Sequence, residues 1–294
     1  MAPQIVLITG CSSGIGLSTA VHLAKNPSQY LVYASMRNLA KKGELEKAAG
    51  NLLNKSLFIN ELDVTKEDQI KREMKAIHDK HGRLDILINN AAYGFLGLFQ
   101  DMTLDHVRSM IDTNVIGTVR LIQEVMPGMK ERKSGRIINI SSVISAYPIP
   151  FNSLYAGTKA AVDGITESLY PELRPFNVWI TSVCPGPVDT KFTENAGGVP
   201  ETAKAESPSA KVKVTPEDTF SKDLMGKFME KLFKDFGPHF QTGDDIAKVV
   251  SEVLSTPEPK LRYPTSDFVS SFYEDRYTDG IGAKATMDMY EILK

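Results

Sequence analysis

The chain has 294 residues, 42% of them hydrophobic and 24% charged, with a net charge of −2. That composition builds a large core in an ordinary globule, and the near-neutral balance gives no reason to expect nucleic acid or an anionic membrane as partner. Two cysteines, Cys11 and Cys184, offer no disulfide framework, so a reducing, cytoplasmic compartment is expected. Met1-Ala2-Pro3-Gln4 lacks the basic start of a signal peptide. No apolar run approaches the roughly 18 residues of a membrane span. A peripheral attachment, lying on the membrane surface, is left open.

In chain order, short β-rich runs alternate with longer helical patterns. The runs Ile5–Thr9, Leu31–Ser35, Leu57–Leu62, Leu84–Asn89, Arg136–Ser141 and Val178–Val183 read as strands, with a last one at Lys260–Tyr263. Several are almost wholly apolar, as strands covered on both faces must be. Helical patterns fill Gly14–Lys25, Ala40–Leu53, Lys66–His81, Leu104–Lys133 and Leu154–Arg174. Pro171 marks a kink or an end in the last of these. The alternation predicts an α/β fold, a doubly wound Rossmann-like sheet of about seven mostly parallel strands with helices on both faces. One domain over residues 1–294 is expected. Residues 1–190 form its cofactor and catalytic core, about 191–256 a loop and helical substrate lid, and 257–294 a last strand and tail. The stretch Asn195–Thr215, rich in Gly, Pro, Ser, Ala and Lys, reads as a long loop. Helical patterns follow at Phe220–Phe236 and Asp244–Ser255.

Between the first strand and first helix stands Gly10-Cys11-Ser12-Ser13-Gly14-Ile15-Gly16. Glycines let a backbone turn tightly and approach a pyrophosphate, and the helix N-terminus offers free N–H groups to its oxygens. A nucleotide-triphosphate loop would end Gly-Lys-Ser/Thr, whereas this one ends Gly16-Leu17-Ser18. The second strand ends Ala34-Ser35-Met36-Arg37-Asn38, with Met36 where an acid would bind a free ribose 2′-hydroxyl. Without that acid, Arg37 is free to grip a 2′-phosphate, so NADP(H) is preferred over NAD(H). Asp63, after the third strand, can accept from the adenine amine. No metal is expected.

Tyr155 and Lys159 lie four apart on one helix, hence on one face. Ser142 ends the fifth strand and Asn114 lies within the long helix, and such strand ends line the ligand crevice of an open α/β sheet. Carbonyl reduction needs a hydride on carbon and a proton on oxygen. A phenol of pKa about 10 exchanges its proton more easily beside an ammonium. Lys159 supplies that ammonium and can donate to a nicotinamide ribose; Ser142 orients the substrate oxygen; Asn114 can hold a water that links Lys159 to solvent. A serine hydrolase built on Ser142 would want a Gly-x-Ser-x-Gly elbow, which the sequence lacks there. A nicotinamide-binding regulatory protein without turnover stays open as a second class.

These segments together resemble the short-chain dehydrogenase/reductase family. The resemblance spans Gln4–Thr190 and rests on Thr9–Gly16, Asn89-Asn90-Ala91, Asn114, Ser142, Tyr155-Ala156-Gly157-Thr158-Lys159 and Pro185-Gly186-Pro187-Val188-Asp189-Thr190. Ala92 departs from the glycine usual in the family. The resemblance implies an oxidoreductase using NADP(H). Its cofactor contacts would be Gly10, Ser12, Ser13, Gly14, Ile15, Gly16, Arg37, Asp63, Asn90, Ala91, Tyr155, Lys159, Val188 and Thr190. Met36-Arg37, Gly117-Thr118-Val119-Arg120, Pro150-Phe151-Asn152 and Lys260-Leu261-Arg262-Tyr263 resemble more narrowly the branch of 17β-hydroxysteroid and photoreceptor-type retinol dehydrogenases. In the steroid-handling members a lid histidine stands where this chain has Ser221. The resemblance also implies a homodimer, paired through the helices Leu104–Lys133 and Leu154–Arg174. Phe95, Val143, Ile149 and Pro187 follow strand ends and are expected to line a pocket. Phe220, Leu224, Phe228 and Leu232 repeat at helical spacing, with Met225, Met229 and Phe236 beside them. That apolar face either closes over a substrate or packs on the sheet. The set favours a lipophilic carbonyl or alcohol, retinoid- or steroid-like, with small aromatic or aliphatic carbonyls as the alternative.

Overall fold

The structure is a computed structural model of the chain, describing residues 2–189 and 219–278. Thr190, the loop 195–215 and the tail from residue 279 lie outside the described residues. Seven parallel strands run in the order β3-β2-β1-β4-β5-β6-β7. They are β1 (Gln4–Ile8), β2 (Tyr30–Met36), β3 (Leu57–Glu61), β4 (Ile86–Asn89), β5 (Gly135–Ile140), β6 (Val178–Cys184) and β7 (Arg262–Pro264). The sequence led to "mostly parallel"; among the described strands every pairing is parallel.

Side chains alternate across each strand, and the alternation sorts the core into two layers. Val6, Ile8, Val32, Ala34, Ile86, Ile88, Ile138 and Ile140 face α1 (Gly14–Ala24), α2 (Gly43–Ala49) and a late helix, α8 (Gly243–Ser255). Ile5, Leu7, Tyr33, Leu87, Ile137 and Ile180 face α3 (Glu67–His81), α5 (Gly117–Glu131) and α6 (Ser153–Leu173). Helix α8 crosses α1 so closely that a Cβ on Gly243 would come within 2.6 Å of the Ser18 hydroxyl oxygen. Helix α7 (Thr219–Phe236) and helix α9 (Asp267–Tyr277) complete the described C-terminal part.

Three elements differ from the sequence reading. The pattern Ala40–Leu53 is one short helix, α2, flanked by 3-10 turns at Leu39–Lys41 and Gly50–Leu52. Gly50 at its end has φ +49°, a backbone conformation that side chains rarely adopt, and it stops the helix. The pattern Leu104–Lys133 is not continuous. Helix α4 (Leu104–Ile111) passes through one π-helical turn, Asp112–Ile116, into α5. A π-turn inserts one residue into the helical register and recurs at functional sites; here it carries Asn114. Helix α6 contains Pro171 and runs on only to Leu173, where a 3-10 turn, Arg174–Phe176, takes over. The expected stop therefore comes two residues late.

Order β2-β1-β4 means the chain leaves the sheet in opposite directions from β1 and β4. The crevice at that reversal, beyond the strands' C-terminal ends, is where open α/β sheets bind ligands.

Candidate active site

The glycine loop bridges β1 and α1 at this crevice. Gly10 has φ +74° and Gly14 φ +58°, both left-handed, which side chains rarely adopt. Space is equally limiting. A Cβ on Gly10 would lie 2.8 Å from the Ala91 Cα, and one on Gly16 would lie 2.5 Å from both the Gly10 carbonyl oxygen and the Asn90 amide nitrogen. Asn90 locks the loop by donating to the carbonyls of Thr9 (2.8 Å) and Gly10 (3.1 Å). The Thr9 hydroxyl in turn accepts from the backbone N–H of Asn90 and of Ala91, each at 3.0 Å. Sequence reading passed over Thr9 as a working residue.

The Ser13 side chain makes no capping bond at the start of α1. The first N–H groups of a helix have no intrahelical acceptor, so those of α1 are available to an anion. Arg37 stands exposed just beyond β2. A tight cradle that any Cβ would fill and open helix N–H groups fit a dinucleotide's pyrophosphate, with Arg37 exposed at the β2 end. Met36 is only 2% exposed and belongs to the core. The slot for an acid is thus closed by packing as well as lacking a carboxylate. Asp63 spends one oxygen on a local turn, accepting from Thr65 N (3.0 Å) and the Thr65 hydroxyl (2.8 Å). Val188 forms an isolated bridge with Gln241 ahead of α8, and Pro187 accepts from Gln241 N at 2.9 Å.

Ser142 follows β5 in extended conformation and caps the 3-10 turn Val143–Ser145, accepting from Ile144 N at 3.3 Å. Tyr155 stands in the first turn of α6 and is buried, and Ser142 hydrogen-bonds its phenol. Lys159, one turn on and also buried, donates to the Ile140 carbonyl at 2.7 Å, with its Nζ 5.6 Å from the Tyr155 ring centre. Burial holds the phenol protonated well above the usual tyrosine range, against the Ser142 hydrogen bond. It also pushes the Lys159 ammonium down to about 8. Desolvation disfavours the charged form of both groups and is the largest cause of each shift.

Asn114 lies beside these residues through Thr158, and its side chain is engaged in protein bonds. Its amide donates to the Tyr93 carbonyl (2.8 Å) and the Thr158 hydroxyl (3.1 Å), and its carbonyl oxygen accepts from Tyr93 N (3.1 Å). Both side-chain donors are thus committed, tying the segment after β4 to α6 between Tyr155 and Lys159. A water would have to use the remaining lone pair.

Phe95 and Ile149 share one apolar cluster with Tyr155, Ile144 and Met110. Val143 and Ile149 join a second one with Tyr147, Phe151, Phe272 and the buried Phe228 of α7. The helical apolar repeat thus packs inward at Phe228, 5.7 Å ring to ring from Phe151, while Phe220 is 76% exposed. Sequence reading missed Tyr147 and His106. His106 is buried against Phe95 (4.9 Å, edge-on), and among the described residues neither of its ring nitrogens has a hydrogen-bond partner.

A glycine cradle at the switch point, with Ser142, Tyr155 and Lys159 beside it, defines a dehydrogenase site, and the chain belongs to the short-chain dehydrogenase family. The profile of that family, "short chain dehydrogenase", matches residues 4–198. It is an oxidoreductase of alcohols and carbonyls that uses a nicotinamide cofactor. Retinol dehydrogenase 8 of Bos taurus is 40% identical over 287 residues, covering 97% of this chain and 86% of that protein. The 17-beta-hydroxysteroid dehydrogenase type 1 of Homo sapiens is 36% identical over 293 residues, covering 99% and 86%. Among solved structures, a short-chain dehydrogenase from Streptomyces avermitilis superposes with a TM-score of 0.73 at 26% identity, covering 97% of this chain and 96% of that one.

Proposed function

We propose that the protein interconverts a carbonyl and an alcohol on a lipophilic, retinoid- or steroid-like substrate, with NADP(H) preferred over NAD(H). The observation that carries the reading is the buried Tyr155 phenol, bonded to Ser142 and one helical turn from Lys159. The bound dinucleotide supplies or accepts the hydride. Everything else falls to the chain. Burial keeps Tyr155 a neutral phenol near neutrality, the form able to give its proton to a substrate oxygen. Ser142 holds that oxygen. A charged Lys159 then stabilises the phenolate left behind, and in the oxidative direction the same phenolate takes the alcohol proton.

Arg37 supports the cofactor preference, because it is exposed at the β2 end, where Met36 stands in the place of an acid. Ser12, Ser13, Gly14, Ile15 and Gly16 would hold the pyrophosphate, and Lys159, Val188 and Thr190 the nicotinamide end. The apolar residues around Tyr155 support a lipophilic substrate, as do the names of the two relatives. Ile116, 40% exposed beside α5, and Gly157 on the outer side of α6, where a Cβ would meet nothing within 4 Å, support pairing of two copies across these helices. Among the described residues, no helix is long and apolar enough to cross a membrane.

The test is NADPH consumption, followed by absorbance, against retinal, steroid ketones and simple aromatic carbonyls in parallel. Turnover is expected to be highest on retinal or a steroid ketone. Tight NADPH binding with no turnover on any of them would instead favour a regulatory binder.

A further inference from the structure

Beyond Lys159 along the chain, α6 carries a second buried charge. Asp163 lies one helical turn beyond Lys159 and is 4% exposed. Buried carboxylates persist only when paired and hydrogen-bonded, and Asp163 is both. One of its oxygens accepts from the Ser182 hydroxyl of β6 at 2.7 Å. The other accepts from the Ser145 hydroxyl at 2.5 Å and lies 3.6 Å from the Arg262 guanidinium of β7. Arg262 also pairs with Glu167, one turn further along α6, and its guanidinium sits 5.1 Å from the ring centre of Tyr273 on α9.

Ser145 connects this cluster to the reaction. Its hydroxyl lies within reach of two acceptors, Asp163 and, at 2.8 Å, the Ser142 carbonyl. A hydroxyl has one proton, and a carboxylate is the stronger acceptor, so the proton goes to Asp163. The Ser142 carbonyl keeps the Ser145 N–H at 3.1 Å and has the Tyr273 hydroxyl at 3.5 Å. The turn that begins at Ser142 is thus anchored through Ser145 to a carboxylate on the same helix as Tyr155 and Lys159.

We propose that Asp163 is a positioning residue of the reaction: it fixes the Ser142–Ser145 turn against α6 and β6, and its negative charge keeps Lys159 an ammonium inside the protein. The inference rests on the catalytic reading of Lys159 given above. Among the described residues, the groups facing the pair are few. Lys159 meets Tyr155 and Asp163 on α6, the Ile140 carbonyl of β5 and Cys184 of β6. Asp163 meets Ser145, Ser182, Arg262, Cys184 and Tyr273, with Glu167 beyond Arg262. Cys184 is held as a neutral thiol by burial, so Asp163 is the fixed negative charge closest along the chain to Lys159. Burial lowers Lys159 to about 8, and Asp163 acts in the opposite direction. Arg262 offsets part of the Asp163 charge. Neutralising Asp163 therefore lowers the Lys159 pKa, and neutralising Arg262 raises it.

The test uses the full chain labelled with 13C at lysine Cε, with the Lys159 signal assigned from Lys159→Arg. Its pKa is followed by NMR in wild type, Asp163→Asn and Arg262→Gln, and the pH profile of kcat/KM with NADPH is recorded on the best carbonyl of the panel. A carboxylate close to an ammonium shifts it by about one unit or more. Asp163→Asn should thus bring Lys159, and the alkaline limb of the profile, down by about one unit, while Arg262→Gln moves both upward. Ser145→Ala, which keeps the charge, should lower kcat with the profile in place. Lys159 titrating in both charge variants as in wild type overturns the proposal, whatever happens to thermal stability. If Asp163→Asn does not fold, the upward shift in Arg262→Gln decides alone, and an unshifted Lys159 there overturns it equally. Should wild type turn over no carbonyl, the catalytic reading fails while the NMR titration still decides the electrostatic coupling.

Discussion

Adding a single methyl group at Gly16 tests the cradle directly. In Gly16→Ala the new Cβ would sit 2.5 Å from the Asn90 amide nitrogen and from the Gly10 carbonyl oxygen. One contact is with backbone, so retreat of a side chain cannot relieve both. Overpacking of this kind costs roughly 1–3 kcal/mol. If Asn90 is displaced, its bonds to the Thr9 and Gly10 carbonyls go too, at about 1 kcal/mol net each. Alanine recovers about 1 kcal/mol through helix propensity. A net loss of about 2 kcal/mol follows, or a fall in Tm of about 4 °C for a chain of this size. The backbone shift should also move the first N–H groups of α1, raising the Kd for NADPH at least tenfold. Gly226→Ala is the control, since it lies exposed within α7 and its Cβ would meet nothing within 4 Å. That variant should be as stable as wild type or up to about 1 kcal/mol more stable. The assays are thermal melting followed by circular dichroism, and NADPH titration by fluorescence. If Gly16→Ala melts and binds like wild type, the close approach of loop and Asn90 has no energetic consequence and the reasoning fails.

Three further outcomes are expected. Arg37→Ala should raise the Kd for NADPH by about ten- to a hundredfold, the worth of charge-assisted bonds to a phosphate, and leave NADH within about twofold; equal losses for both cofactors would refute the 2′-phosphate assignment. Met36→Asp is the poorer probe, because Met36 is 2% exposed and a carboxylate there would be buried. Tyr155→Phe should reduce kcat at least about a hundredfold with NADPH affinity little changed, and wild-type turnover in this variant would falsify the proton assignment. His106→Leu should raise stability by about 1 kcal/mol at pH 7, because two unpartnered buried nitrogens are removed. Burial holds the His106 pKa below its ordinary value, so below about pH 6.5 the unfolded chain binds a proton that the folded one refuses. Wild type should therefore lose stability as pH falls through that range more steeply than His106→Leu; parallel curves in denaturant titrations would count against it.

Much of this protein is determined locally, and that part is legible in the sequence. The nearly continuous apolar runs fix the strands, because a strand covered on both faces needs apolar side chains on both sides. Gly10, Gly14 and Gly16 announce the loop, since positive φ and close approach admit few other residues. Tyr155 and Lys159 share a face by helical spacing alone. What the sequence did not determine are contacts between residues far apart in the chain. The π-turn at Asp112–Ile116 coincides with the bonds of Asn114 to the Tyr93 carbonyl and the Thr158 hydroxyl, so helical periodicity from Leu104 onward concealed it. The burial that sets Tyr155 and Lys159 comes from layers assembled around them, which is why an ammonium expected to lower a phenol pKa is itself lowered. Asp163 stands one turn from Lys159 in plain sight, yet its meaning depends on Ser145, Ser182 and Arg262 arriving from a turn and two strands. Spacing along one helix shows which residues can act together; only the tertiary structure decides how much water they keep and which charges they meet.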